Sequence, residues 1–159
     1  KSELIELSEL SESVGTISNQ KFLAVFAADR DGSGTKSESK LIELGDMIEI
    51  RGPDLSERRD NHRLVLYPPY GALCRLSVDA SFVAKGISTL RIYVNDKVLK
   101  DCFVESSEMN HGSLSVSATT SINKKDVIRA EIQHSQGSIT SYMGSHEGVR
   151  RTTMTIEEI

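Results

Sequence analysis

The run Asp29-Arg30-Asp31-Gly32-Ser33-Gly34 holds the residues with the most obvious chemical promise. Carboxylates, a hydroxyl and a glycine turn in this order fill the opening places of a calcium-binding loop. The closing place of such a loop needs a bidentate glutamate and here holds Lys40. No helical pattern flanks the run on either side. We read it as a flexible acidic connection between strands and expect no metal. His62, His111, His134 and His146 lack the i,i+4 or His-x-His spacing of a zinc site and fall on expected loops and strand ends. Cys74 sits mid-strand on an apolar face and reads as a buried thiol, whereas Cys102 follows a hairpin and reads as exposed. A Cys74–Cys102 bridge would need close, well-oriented Cα atoms, which leaves their pairing open at this level. No nucleophile elbow, phosphate loop or paired-carboxylate motif occurs. We therefore expect no enzyme and no cofactor.

Recognition chemistry is better represented. Asn110-His111-Gly112, and the stretch from Gln133 to His146, are rich in adaptable donors and acceptors. Within the second, Gln136, Ser138 and His146 offer polar contacts, while Tyr142 and Met143 add apolar ones. Such a mixture suits a binding loop better than a catalytic one. The candidate binding residues are thus Asn110, His111, Gln136, Ser138, Tyr142, Met143 and His146.

The elements that must position them follow from periodicity. Leu4, Leu7, Leu10 or Ser11, Val14 and Ile17 recur at steps of three and four, as in a short coiled coil. Residues 1–18 therefore read as a helical stalk, stopped by Gly15 and Asn19. From Lys21 the period becomes two. Short strands are expected over Phe22–Ala28, on either side of Gly45-Asp46, and over His62–Tyr67. Arg51–Asn61 reads as a charged loop. Ala72, Cys74, Leu76, Val78, Ala80 and Phe82 line one face of a long strand. Leu90, Ile92 and Val94 line another strand, which ends in a tight turn at Asn95-Asp96. Alternation recurs at Leu114–Thr119, Val127–Gln133 and Arg150–Ile159. Residues 20–159 are expected to form an all-β antiparallel sandwich closed by Greek-key connections behind the stalk. If the strands around Leu73, Val127 and Arg151 share one sheet, its outer face carries Arg75, Asp79, Arg129, Glu131, Arg151 and Glu157. Inter-subunit ion pairs are expected there.

Composition narrows the class. The 159 residues carry 19 Lys+Arg against 23 Asp+Glu, too little positive charge for a nucleic-acid binder. No apolar run approaches the roughly 20 residues of a membrane-spanning helix, and no membrane insertion is expected. Aromatic residues make up 5% with no tryptophan, which disfavours a sugar-stacking groove. The opening residues do not read as a secretory leader, and Lys1 is not an initiating residue, so a piece of a longer chain is expected.

From Leu64 to Ile159 the chain resembles the tumour necrosis factor and complement q-head family of trimeric jelly rolls. Pro68-Pro69-Tyr70-Gly71 looks like the family's entry into its central strand, and Leu90-Arg-Ile-Tyr-Val-Asn95 like its strand and turn. Ser113-Leu-Ser-Val-Ser117 followed by Ile122-Asn-Lys-Lys-Asp126-Val-Ile128, and then Arg150–Ile156, look like its later strands in the same order. Lys125 stands where the family has glycine, and the closing strand lacks the family's aromatic-glycine pattern. These departures point to viral and bacterial members. The resemblance implies a homotrimer, with Leu4, Leu7, Val14 and Ile17 continuing the trimer contact down the stalk. The layout of stalk and knob suggests a non-enzymatic receptor-binding tip of a bacteriophage tail fibre. It would attach the virion to a host cell-surface receptor. Alternatives are a structural trimerisation module of a fibre, capsid or spore coat, and a secreted trimeric ligand of the same fold. The location implied is the virion surface, or otherwise extracellular.

Overall fold

The computed structural model describes residues 21–34, 37–52, 57–60, 63–66, 71–144 and 151–159. The expected stalk at 1–18 lies outside them. Every regular element described is a strand. In chain order they are β1 (Leu23–Ala27), β2 (Gly32–Ser33), β3 (Lys40–Leu41), β4 (Asp46–Arg51), β5 (Glu57–Asp60) and β6 (Arg63–Leu66). Then follow β7 (Ala72–Val94), β8 (Lys97–Ile122), β9 (Val127–His134), β10 (Ser138–Tyr142) and β11 (Thr153–Glu158). Strand β5 falls in the segment expected to be a charged loop. It pairs with β6 as a hairpin, so backbone pairing there overrides the polar composition.

One strand organises the rest. Strand β7 is 23 residues long where two separate strands were expected. Its alternation never changes phase: Cys74, Leu76, Val78, Ala80, Phe82, Ala84, Leu90 and Ile92 are all buried. Side chains of one parity therefore face the core from end to end. The strand turns a corner at Gly86, whose φ is +84°. A Cβ at Gly86 would run into the side chains of Ser135 and Gln136, so the corner needs both the backbone freedom and the missing side chain.

The corner divides the partners of β7. Before it, Cys74–Asp79 pair antiparallel with β11, and β11 continues to β1 and β4. After it, Ser88–Val94 pair with β9, which continues to β6 and β5. Strand β8 follows the opposite edge of β7 along its whole length, from Ala72↔Ile122 to Val94↔Lys97. The result is a continuous antiparallel sheet that curls into two layers. Leu76, Met154 and Ile156 from one layer share a single apolar cluster with Ile92, Ile128 and Ile132 from the other. Burying each such side chain contributes about 1.5–3 kcal/mol.

The turns obey local chemistry. Asn95 and Asp96 both have positive φ, as a two-residue hairpin loop requires. Asn95 also ties two turns together: its side-chain amide donates to Asp126 at 2.9 Å, and its Oδ1 accepts the Val127 N–H at 2.9 Å. Lys125 has a φ of +72°, the conformation for which the family resemblance supplies glycine.

Candidate recognition site

The corner of β7 brings together segments that lie far apart in sequence. Ala84 pairs with Asn110 of β8 on one edge and with Ser138 of β10 on the other. Val83 pairs likewise with His111 and Thr140. With neighbouring strands about 4.8 Å apart, Asn110 and Ser138 stand roughly 10 Å from each other across β7. The two candidate binding segments thus flank the same stretch of β7 on either edge.

Its rim is shaped by a bulge. Pairing steps from Ala84↔Asn110 to Gly86↔Ser106, so Ser107, Glu108 and Met109 stand opposite Lys85 alone. Such an insertion bends the strand and pushes the extra residues outward. The Ser106 hydroxyl closes the bulge by donating to the Glu108 carbonyl at 2.7 Å. On the other rim, the Ser135–Gly137 turn is pinned to β7. Ser135 N–H donates to Ile87 O at 2.9 Å, Lys85 N–H donates to Gly137 O at 3.2 Å, and Ile87 N–H donates to the Ser135 hydroxyl at 2.7 Å.

Asn110, His111 and Gln136 are exposed on this surface, and Ser138 and Met143 are half-buried. His146 lies outside the described residues. Tyr142 is a correction: it is 1% exposed. Its ring fills the space a side chain on Gly32 would need, and its hydroxyl accepts the Glu43 N–H at 3.2 Å. It is a core residue and offers no surface to a partner. The stretch expected as one loop is a hairpin, with β9 running through His134 and β10 returning to Tyr142, so its alternate side chains must point inward. Four residues not singled out above complete the surface: Lys85, Glu108, Met109 and Ile139, the last 65% exposed. An exposed isoleucine within a polar stretch was the available signal; the bulge left none, having neither glycine nor proline.

The six charges expected on one interface face need a second correction. They divide between the two layers. Strand β9 pairs only with the far half of β7, so Arg129 and Glu131 lie on the opposite layer from Arg75, Asp79, Arg151 and Glu157. Several also find partners inside the chain. Arg129, its side chain 11% exposed, binds Glu131 at 2.7 Å and Asp96, and stacks on the Tyr93 ring with its guanidinium carbon 4.0 Å from the centroid. Burial pushes the Glu131 carboxyl up, but hydrogen bonds from Arg129 and Ser39 outweigh it and hold the group below its ordinary value. Arg151 binds Asp46 at 2.7 Å and the Ala28 carbonyl at 2.8 Å. Asp79 accepts the Ser115 hydroxyl. Arg75 faces Glu157 across the β7–β11 ladder.

Around these charges the outer face of the first layer is paved with hydroxyls. Ser113, Ser115, Ser117, Thr119 and Ser121 alternate along β8, beside Ser77 of β7 and Thr153 and Thr155 of β11. A shallow cleft of about 350 Å³ opens here between Asp79, Ser81, Ser113, Ser115 and Arg151.

Both cysteines lie in settings that disfavour the thiolate. Cys74 is buried, and desolvation with a smaller push from Glu158 raises its thiol to about 11. Cys102 is raised too, chiefly by burial, and both cysteines are free. Thiols held protonated are inert. Asp31, from the calcium-like run, accepts the Gly144 N–H at 2.8 Å. Arg30 pairs with Glu43 at 3.0 Å. No helix among the described residues is long and apolar enough to cross a membrane.

No family model matches this chain, and neither does any curated protein sequence. Solved structures do. Murine APRIL crystallised at pH 5.0 superposes with a TM-score of 0.64 and 12% identity, covering 89% of this chain and 100% of that one. Murine APRIL at pH 8.0 gives 0.63 and 11%, with the same coverage. The likeness spans nearly the whole chain at an identity that carries fold alone: the protein has the tumour necrosis factor-like jelly-roll fold.

Proposed function

We propose that this protein is a non-enzymatic receptor-binding knob that assembles as a homotrimer and attaches a bacteriophage tail fibre to its host cell. The observation that carries this reading is the meeting of two recognition-like segments at the corner of β7. Exposed apolar groups at Met109 and Ile139 stand there among Asn110, His111, Gln136 and Ser138. Apolar anchors ringed by adaptable polar groups are how binding surfaces combine affinity with specificity. Three copies on one axis would multiply a weak contact into firm attachment. The receptor would be a protein or glycan of the host surface, and the knob would sit on the virion surface.

The hydroxyl-paved face supports assembly. Short serine and threonine side chains leave a flat sheet that another copy can approach closely. They also lose little side-chain entropy when ordered. Leu73 and Ile159 add exposed apolar area at its lower end, where Ile159 N–H donates to Leu73 O at 2.9 Å.

Adsorption of the purified chain to a panel of bacterial cells and outer-membrane fractions tests the reading. The wild type is expected to bind at least one of them. Met109→Asp with Ile139→Asp should abolish binding while the circular dichroism spectrum stays unchanged. Binding to none, or binding indifferent to the double substitution, overturns the receptor role. Light scattering tests assembly, and a stable monomer at about micromolar concentration overturns the trimer.

A further inference from the structure

Among the described residues, His134 is the histidine that the fold buries completely, at 0% exposure. It ends β9, immediately before the turn that carries Gln136 and Ser138. Its Nε2 lies 2.9 Å from the Ser141 carbonyl of β10. A carbonyl only accepts, so Nε2 carries the hydrogen. Its Nδ1, 2.7 Å from the Ser88 hydroxyl of β7, is then an acceptor, and the ring is the neutral tautomer. The ring packs against Phe82 with centroids 4.9 Å apart. One side chain thereby ties β9, β10 and β7 together behind the recognition surface. A chain of hydroxyls extends the tie: Ser138 Oγ lies 3.0 Å from Ser141 Oγ, which donates to the Ser33 carbonyl of β2 at 2.9 Å.

We propose that His134 is an acid-sensitive latch, which holds the segment from Ser135 to Met143 against β7 at neutral pH and releases it in mild acid. Its biological consequence rests on the recognition reading above; its physics does not.

Protonation would put a charge in an apolar, neutral setting. The groups facing the imidazole are Phe82 and Ser88 from β7 and Ser141 from β10, whose hydroxyl turns to the Ser33 carbonyl of β2. Lys85 of β7 is exposed, and the Tyr142 hydroxyl of β10 turns to Glu43. Among the described residues no carboxylate acts on the ring as a counter-ion. Burial therefore holds His134 below its ordinary value, opposed in part by the bond to Ser141.

The segment it holds is also weakly anchored. Strand β10 pairs with β7 only at Ser138 and Thr140, and with β2 only at Thr140 and Tyr142, with register shifts in both ladders. Strand β11, by contrast, pairs with β7 without interruption from Thr153 to Glu158. Local opening should cost far less than global unfolding. Opening returns the imidazole to water, where it titrates near pH 6.5. The closed form binds the proton less well, so closure is at full strength above about pH 6.5 and weakens as pH falls. For one proton the opening constant grows about tenfold per pH unit, levelling off below the closed-state value.

Amide hydrogen exchange on the full chain, corrected for intrinsic rate, tests this. The reporters are the amides of Ser135, which bonds Ile87, and Met143, which bonds Ser81. Between about pH 6.5 and about pH 5.5 their protection should fall several-fold to tenfold, while amides in the β1–β11 ladder hold theirs. His134→Gln should flatten the profile. Unchanged protection at Ser135 and Met143 overturns the latch, as does an equal loss in the β1–β11 ladder or a slope that survives in His134→Gln. Should that variant fail to fold, imidazole titration of the wild type by NMR decides. Titration of His134 at or above about pH 6.5 in the folded protein overturns the proposal. Cell adsorption at neutral pH reports on the recognition reading alone, so either can fail without the other.

Discussion

The two outer faces of the β7–β8 hairpin share one backbone and one core, yet they differ in chemistry. Before the Gly86 corner short hydroxyl side chains, Ser77 and Ser113 to Ser121 in alternation, surround the charges of Arg75 and Asp79. Beyond it the outward side chains are long and mutually engaged. Arg129 lies on Tyr93 between Asp96 and Glu131, and Arg91 donates to Gln133 at 3.0 Å. The long-chain face has met its polar needs from within. The short-chain face keeps groups that another flat surface can use. Inward alternation builds the core, and outward alternation is free to make one layer self-contained and the other receptive.

The largest effect should come from the shared core. Leu76→Ala in the near half and Ile92→Ala in the far half should each cost about 2–5 kcal/mol in denaturant unfolding. A mild loss for one and a severe loss for the other would mean that the halves do not share a single cooperative core. Next comes the charge contrast. Arg129→Ala breaks two ion pairs and a ring contact at a nearly buried site, and should cost about 1.5–3 kcal/mol. Arg75→Ala on the exposed near face should stay within about 0.5 kcal/mol. Equal losses would erase the distinction between the faces.

Lys125→Gly should raise stability by about 0.5–1 kcal/mol, seen as a higher melting temperature. The gain is relief of a left-handed backbone at a residue with a Cβ, less the entropy that glycine adds to the unfolded chain. Ser117→Trp should change monomer stability least, within about 0.5 kcal/mol, because the site is exposed. In the proposed assembly, the same change should shift the light-scattering mass from trimer to monomer. A trimer that tolerates the bulky ring at this position would remove the hydroxyl-paved face from the assembly.

Much of this was legible from alternation. Met154 and Ile156, Ile128 and Ile132, and Leu76 and Val78 were all placed on core faces, as they are in the fold. The Asn95-Asp96 turn was legible because few dipeptides accept two positive φ values. The extent of β7 was obscured by Ser81, Lys85 and Gly86, which look like an interruption and are a corner. Its even-numbered positions nevertheless stay in phase across it. The interface charges were misassigned for that reason, since a strand that changes layers carries its partners to opposite sides. Tyr142 and His134 were read as loop residues because a polar neighbourhood hides inward positions. Only the pairing of β9 and β10 with their neighbours shows that they point to the core.

The pairing of β1 with β11 has a consequence for how the molecule is made. Leu23 meets Glu157, and Ala27 meets Thr153, so the earliest described strand joins the last. Strands β7 and β8 can form beforehand, zipping from a two-residue turn on the microsecond scale of hairpins. Strand β1 has to wait, because β11 stands between it and β7. Until β11 emerges from the ribosome, the near edge of β7 and the partner edge of β1 are both unpaired strand edges. Such edges invite pairing with another chain. Closure of this layer is thus a late event that spans most of the sequence, and loop-closure entropy makes such events slow. Where copies of the chain are synthesised side by side, the delay sets the interval in which they can exchange strands instead of packing faces.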